Sequence, residues 1–218
     1  MSTYYTKLGQ AYIRGYLLSN GENVPADISI SDYKQEIGKL YNFKKTDLSL
    51  LPRVKWIMGI IRSLYIESII DFGSQRGAML WPLMNEFENI TFTAIDMDPD
   101  IYNYLNCVKK GGVNNLSPIK GDITDLKDLP DQSADLVIAS EIFEHLKDPQ
   151  KAADEAIRLS RYYVIVTVPR KDDDNPEHIQ LFTESTLLGL FQDHKSRRVV
   201  NVKISVLSNN ILAYVSLK

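Results

Sequence analysis

The sequence predicts an α/β fold: a doubly wound, mostly parallel seven-stranded sheet with an antiparallel C-terminal β-hairpin, preceded by a helical N-terminal extension. From residue 66 onward, short apolar runs alternate with amphipathic stretches, which is typical of β-α units around a parallel sheet. The last two apolar runs, 199–206 and 211–217, are separated by only a few residues. Because a parallel crossover needs a much longer connection, these two strands are expected to pair antiparallel.

The individual elements follow from local patterns. We expect the five earlier strands at 66–71, 90–96, 116–120, 134–140 and 162–168. Asp98 and Asp148 each precede a proline, a pairing that caps a helix and opens its first turn, and Thr183 is a third helix cap. Together with the amphipathic stretch after the first strand, these signals predict helices at 77–87, 99–110, 150–159 and 184–191.

Residues 1–65 differ from the rest of the chain, since they are rich in tyrosine and lack the β-α alternation. We interpret them as a helical extension that is too small for its own core and therefore packs on the sheet domain, residues 66–218. A helix is expected from about residue 51 to residue 64.

Composition limits the classes of function. Hydrophobic residues make up 44% and charged residues 24%, as in ordinary globular proteins, which excludes collagen-like and disordered chains. The net charge of −3 argues against broad, charge-driven binding of nucleic acid. The single cysteine, Cys107, fits a reducing compartment, and no signal peptide or membrane span is visible. We therefore expect a cytoplasmic protein with no membrane partner, working as a monomer or homodimer.

Glycines and carboxylates follow three neighbouring strands of the predicted sheet. A glycine turn, DFGSQRG, comes after the first strand, Asp96 ends the second, and a Gly-Asp pair follows the third. The carboxyl ends of parallel strands meet at one edge, where ligands of such sheets bind. A carboxylate at this edge can accept both hydroxyls of a ribose, and the next can accept the amine of adenine. The pattern therefore predicts a nucleoside-containing ligand.

These segments resemble the class I S-adenosylmethionine-dependent methyltransferases, and in particular their small-molecule subgroup. The resemblance extends over residues 66–217 and rests on SIIDFGSQRG, FTAIDMDPDI, IKGDITDL and ADLVIASEIFEHLKDP. It implies S-adenosylmethionine as cofactor, S-adenosylhomocysteine as product, and ten cofactor-binding residues: Asp71, Gly73, Ser74, Gln75, Gly77, Asp96, Met97, Asp122, Ile123 and Ser140.

Gln75 departs from the motif of that family, because it stands where the middle glycine usually lies close to the cofactor. Two interpretations stay open. The Gln75 side chain points away from the cofactor, or its amide reaches the methionine portion.

The resemblance implies a small-molecule acceptor, and we expect O-methylation, with N-methylation as the other option. A hydroxyl acceptor needs a general base. His145 and His178 follow strand ends at the ligand edge and are the two candidates, with Glu141 as a third catalytic candidate, whereas His194 is expected at the surface. If 141–145 is helical, Glu141, Glu144 and His145 project to one side, although this segment could equally orient a loop. Residues 1–55 are expected to form a lid and to choose the acceptor.

Other functions remain open at this stage. Glu141, Glu144, His145 and His178 resemble the metal site of terminal RNA 2′-O-methyltransferases, so metal-assisted RNA or peptide methylation is one alternative. The net charge and the lack of an aromatic-basic platform oppose a nucleic-acid partner, and we expect no metal. A non-catalytic nucleotide-binding domain is the alternative from another class, whereas a dehydrogenase would need the missing GxGxxG motif.

Overall fold

The structure is a computed structural model that describes residues 3–33, 48–171, 174–192 and 194–218. The described helices are α1 (Thr3–Ser19), α2 (Pro52–Ile61), α3 (Leu80–Glu86), α4 (Pro99–Lys110), α5 (Pro149–Leu159) and α6 (Glu184–Gly189). The strands are β1 (Ser68–Phe72), β2 (Thr91–Asp96), β3 (Leu116–Lys120), β4 (Ala134–Ser140), β5 (Ser160–Pro169), β6 (Val199–Leu207) and β7 (Asn210–Leu217). Single 3₁₀ turns occur at Ile30–Tyr33, Leu48–Leu50 and Phe143–His145.

The seven strands form one sheet in the order β3-β2-β1-β4-β5-β7-β6. The first five strands pair in parallel, whereas β7 runs antiparallel between β5 and β6, which confirms the predicted fold class. The strand order reverses between β1 and β4. Because ligands of open α/β sheets bind at such a switch point, the carboxyl ends of β1 and β4 locate the site.

Two hydrophobic layers cover the two faces of the sheet. Ile138 of β4 belongs to the layer with α1 to α4, whereas its neighbours Val137 and Ala139 belong to the layer with α5 and α6. Every residue of β4 before Ser140 is buried, as its continuous apolar run predicts. The strands that carry the site are therefore held rigidly from both sides.

The N-terminal extension shares a core with the sheet. Leu8, Tyr12 and Ile13 of α1 are buried in the layer that also holds β1 and β2. Two glycines let α1 and α4 touch backbone to backbone: a Cβ on Gly15 would lie 1.8 Å from the Cys107 carbonyl oxygen. A Cβ on Gly111 would lie 1.7 Å from the Ala11 carbonyl oxygen. The extension thus packs on the sheet domain, while the boundary at residues 65 and 66 stays a prediction.

The structure changes several predicted boundaries. α3 begins at Leu80 rather than residue 77, because Gly77 adopts a left-handed φ of +77° that interrupts a helix. α2 ends at Ile61 and α6 at Gly189, both earlier than expected. Asp98 caps α4 by accepting from the Asp100 N–H, whereas Asp148 makes no such bond. Among the helices of the described ranges, none combines the length and apolarity needed to cross a membrane.

Candidate cofactor and acceptor site

A groove of about 310 Å³ lies at the carboxyl edge of the sheet. Its walls come from the segments that follow β1, β2, β3 and β4, together with the loop after β5. Six of the ten predicted cofactor residues line it: Gly73, Gln75, Asp96, Met97, Asp122 and Ile123. No described residue of the N-terminal extension is among the lining residues, so the lid stays a prediction.

Asp96 links the segments that follow β1 and β2 through hydrogen bonds. Its side chain is only 7% exposed, yet both carboxylate oxygens face backbone donors. Oδ2 accepts from the Gln75 N–H at 2.8 Å, and Oδ1 accepts from the Asp98 N–H at 3.0 Å. A carboxylate has about four acceptor positions, so lone pairs remain for ligand hydroxyls.

The turn after β1 is built from backbone conformations that favour glycine. Gly73 has a φ of +65°, and a Cβ there would lie 2.7 Å from the Ile142 side chain. At Gly77, a Cβ would lie 2.0 Å from Nε1 of Trp81, which donates to the Arg76 carbonyl. Gln75 adopts a left-handed φ of +42° with an exposed side chain, and an L-residue pays for this conformation in strain. Gly77 itself does not line the groove, so it shapes the turn from outside the groove.

Asp71 and Ser74 lie beneath the turn rather than in the groove. The Ser74 hydroxyl donates to the Asp71 carbonyl, and Asp71 is 2% exposed. Burial raises the pKa of the Asp71 carboxyl to about 7; Ser74 lowers this pKa and the charge of Asp96 raises it. Among the described residues, Oδ2 of Asp71 has no hydrogen-bond partner. A positively charged ligand above the turn would therefore favour the ionised carboxylate.

Ser140 and Asp122 are engaged locally. The Ser140 hydroxyl pairs with the Thr167 hydroxyl at 2.9 Å and does not line the groove. One oxygen of Asp122 accepts from the backbone N–H and the hydroxyl of Thr124, which fixes the turn after β3. Asp122 is exposed beside Met97 and Ile123.

His145 and His178 meet at the end of the groove nearest β4. Their ring centroids are 4.8 Å apart, and the rings pack edge to face. Nδ1 of His145 lies 2.9 Å from the carbonyl oxygen of Glu177. Because a carbonyl only accepts, Nδ1 carries the proton in the neutral ring and Nε2 keeps its lone pair. His145 therefore presents a basic nitrogen in a ring that lines the groove.

The buried carboxylate of Glu144 completes this cluster. Glu144 is 1% exposed, and its Oε1 lies 3.9 Å from Nε2 of His178. The Ile179 N–H donates to the Glu144 carbonyl, and the Gln180 amide donates to the Phe143 carbonyl. The loop after β5 thus holds the two histidines against each other.

Glu141 stands apart from the cluster, since helical structure in this segment is limited to the turn Phe143–His145. Glu141 adopts a left-handed φ of +55°, and its Oε2 accepts from the Asn210 amide at 2.9 Å. Burial raises the pKa of Glu141, while the Arg53 charge, Thr167, Asn210 and the His178 charge lower it. The condition for one shared helical face of Glu141, Glu144 and His145, a helix over 141–145, is therefore not met.

His194 is not a surface residue, in contrast to the prediction. Its side chain is 5% exposed, and Nε2 lies 2.9 Å from Oδ1 of Asp154 on α5. It takes no part in the groove.

Comparison with known proteins shows which family the groove segments resemble. Residues 70–162 match the sequence profile of the methyltransferase domain family, and this segment contains the glycine turn, Asp96, Asp122 and His145. This similarity to a methyltransferase domain covers every residue that lines the groove except Glu177. No curated protein matches the sequence.

Solved structures show the same fold at low sequence identity. A SAM-dependent methyltransferase from Aquifex aeolicus is 18% identical with a TM-score of 0.57, over 80% of this chain and 100% of its own. An O-methyltransferase family protein from Burkholderia thailandensis is 13% identical with a TM-score of 0.60, over 78% and 58%. The N-terminal domain of EvdMO1 with SAH bound is 13% identical with a TM-score of 0.62, over 90% and 100%.

The groove has features that fit S-adenosylmethionine, the methyl donor of methyltransferases. Asp96 offers carboxylate lone pairs at the end of β2. Met97 is 68% exposed beside it, an apolar surface that a flat ring would cover. The partnerless oxygen of Asp71 favours positive charge nearby. When bound, S-adenosylmethionine supplies an electrophilic methyl group on a positively charged sulfur. Which residue contacts which part of it stays a prediction.

The Gln75 question has a direct test. Replacing Gln75 by glycine should stabilise the domain by about 1 kcal/mol or less, because glycine adopts the left-handed conformation without strain. Gln132→Gly is the matched control, since Gln132 also has a positive φ, of +54°, away from the groove. We expect both variants to raise the unfolding midpoint and neither to change the affinity for S-adenosylhomocysteine. A weaker affinity in Gln75→Gly alone would show instead that the Gln75 amide binds the cofactor.

Proposed function

We propose that the chain transfers the methyl group of S-adenosylmethionine to a hydroxyl group of a small-molecule acceptor. The observation that carries this proposal is the placement of His145, whose ring lines the cofactor groove with Nδ1 fixed by a carbonyl. A nitrogen acceptor that is neutral needs no base, whereas a hydroxyl does. The position of His145 therefore favours O-methylation.

The residues divide the reaction between positioning and proton removal. The β1 turn and Asp96 hold the methyl donor. His145, which packs against His178 and lies close to Glu144, forms the adjoining wall. Nε2 of His145 takes the hydroxyl proton as the new O–C bond forms and the C–S bond breaks. The rest of the rate enhancement comes from alignment.

The experiment combines binding with turnover. Thermal unfolding with S-adenosylhomocysteine at about 100 times its dissociation constant should stabilise the fold by ~2.7 kcal/mol, with NAD as the inactive control. Radiolabelled methyl transfer is then measured with hydroxylated small molecules, a short single-stranded RNA and a peptide. Transfer to a hydroxylated small molecule supports the proposal, and transfer only to RNA or peptide contradicts its acceptor. Absence of any binding would favour a non-catalytic domain.

Metal-assisted transfer is a second candidate, favoured by one observation. Glu144, His145 and His178 each offer a ligand atom, and these atoms lie within 4.8 Å of one another. Carboxylate oxygen and imidazole nitrogen are suitable ligands for several divalent ions, which could bind the hydroxyl of the acceptor. Glu141 is not part of this set. Loss of methyl transfer on chelation, with recovery on adding back Mg²⁺, Mn²⁺ or Zn²⁺, would favour this candidate over a free base.

The monomeric or homodimeric state and the cytoplasmic setting stay predictions.

A further inference from the structure

A second cavity, of about 430 Å³, lies at the edge of the sheet opposite the cofactor groove. Its wall includes Glu88, which shortly precedes β2, and Val113, which shortly precedes β3, so it lies at the amino ends of these parallel strands. Most of the remaining wall comes from α1. This amino-edge cavity shares no lining residue with the cofactor groove. Its size is typical of sites for small ligands, which span about 300–1,000 Å³.

Apolar side chains form the floor of the amino-edge cavity. Leu8 and Ala11 of α1 and Met84 of α3 line it and are otherwise buried, and the half-buried Val113 packs against the same core. The half-buried ring of Tyr4 adds an aromatic side wall. A concave apolar surface of this kind favours an apolar body on the ligand.

Lys7 and Arg14 of α1 bring two positive charges to the wall of the amino-edge cavity. Because seven residues make nearly two turns of an α-helix, both side chains leave α1 on the same side, ~10 Å apart along the helix axis. Both are exposed, and within the described residues neither forms a hydrogen bond or an ion pair. Their donors are therefore available to a ligand, and these long, flexible side chains can converge on one anionic group.

The other polar groups of the lining leave part of this positive charge uncompensated. The side-chain amides of Gln10 and Asn115 donate to backbone carbonyls and so hold the wall in place. Glu88 supplies the one carboxylate of the lining, against two cations. Burial and the charges of Tyr5 and Glu88 raise the pKa of Tyr4, so its hydroxyl keeps its proton and can donate a hydrogen bond. The cavity therefore combines an apolar floor with donors for an anion.

We propose that the amino-edge cavity binds a small amphipathic anion, a ligand with an apolar body and one singly charged acidic group such as a carboxylate. The acidic group lies between Lys7 and Arg14, where charge-assisted hydrogen bonds are strongest, and the apolar body covers the floor. Glu88 repels a second negative charge, so a singly charged group is favoured over a dianionic phosphate. The N-terminal extension thus supplies a second ligand site, distinct from the cofactor groove. This inference does not depend on the proposed function.

The test compares 2-naphthoate with 2-naphthamide, which has the same ring system and a similar shape but no charge. Titration calorimetry uses the full chain with saturating S-adenosylhomocysteine, so that the cofactor groove is filled. The Kd of 2-naphthoate should be about tenfold below that of 2-naphthamide, because only the carboxylate pairs with the two cations. Inorganic phosphate should bind about tenfold or more weakly than 2-naphthoate, because it has no apolar body to cover the floor.

Variants of the charged lining residues locate the binding site. Lys7→Gln and Arg14→Gln should each raise the Kd of 2-naphthoate about three- to fivefold, because each removes one exposed cation. Glu88→Gln should lower this Kd about two- to threefold, because it removes the opposing carboxylate. Lys55→Gln is the matched control, since it removes an exposed charge on α2 outside the amino-edge cavity. All four side chains are exposed, so the unfolding midpoints without ligand should stay close to that of the wild type.

Three results would overturn the inference. The first is an affinity for 2-naphthoate that is no higher than that for 2-naphthamide. The second is a Kd that Lys7→Gln and Arg14→Gln change no more than Lys55→Gln does, which would indicate a general effect of net charge. The third is binding of 2-naphthoate that saturating S-adenosylhomocysteine abolishes, because 2-naphthoate would then occupy the cofactor groove. If the chain binds no S-adenosylhomocysteine, the proposed function fails, and the same variants still test the amino-edge cavity.

Discussion

Replacing Asp96 by asparagine should weaken the binding of S-adenosylhomocysteine by about a hundredfold or more. Asparagine keeps the shape of the side chain but removes its charge, and its amide presents N–H groups to one of two backbone donors. Either the Gln75 N–H or the Asp98 N–H would then face another donor. Each hydrogen bond to a charged group contributes about 1.5–3 kcal/mol. Asp96→Asn loses one such bond to the turn and weakens the bonds to the ligand, which together account for the hundredfold loss of affinity.

Titration calorimetry measures the affinity, and thermal unfolding without ligand measures the effect on the fold. Asp100→Asn is the control, because it removes an exposed carboxylate in the first turn of α4, outside the groove. We expect Asp100→Asn to bind as the wild type does. An Asp96→Asn variant with unchanged affinity would refute the assignment of Asp96 to the cofactor ribose.

The sheet and its carboxyl edge could be predicted because they depend on local patterns. The bounds of β3 and β4 agree with the apolar runs, since each run is closed by a polar residue or a turn. Once the strands are parallel, Gly73, Asp96 and Asp122 must come to one edge whatever the loops do. The three strand ends therefore share a groove although they are far apart in sequence.

The acceptor side could not be predicted in the same way, because it depends on contacts between distant segments. The pairing of His145 with His178 depends on how the loop after β5 folds back on the turn after β4. The side chain of His194 is nearly enclosed and is hydrogen-bonded to Asp154, 40 residues away, a contact that no local pattern indicates. The left-handed conformation of Glu141 is likewise set by tertiary contacts.

Replacing His145 by asparagine should lower kcat by about 10²- to 10⁴-fold while leaving S-adenosylhomocysteine affinity within a few-fold of the wild type. The asparagine amide can take the place of Nδ1 and still donate to the Glu177 carbonyl, so the loop keeps its anchor. What is lost is the Nε2 lone pair, and with it the site that accepts the hydroxyl proton. His194→Asn is the control, because its ring lies outside the groove.

The pattern across variants distinguishes a base from a metal ligand. If His145 acts as a base, His178→Asn should cost less, about tenfold, since His178 does not line the groove and acts by packing against the His145 ring. If the two rings bind a metal with Glu144, His145→Asn and His178→Asn should lower kcat by the same factor. This loss of kcat should match the loss of bound metal. A phenol that is already ionised at the assay pH needs no base. The loss of kcat in His145→Asn should therefore be smaller for such a phenol than for a neutral one. A deficit that is the same for ionised and neutral phenols would contradict proton transfer to His145.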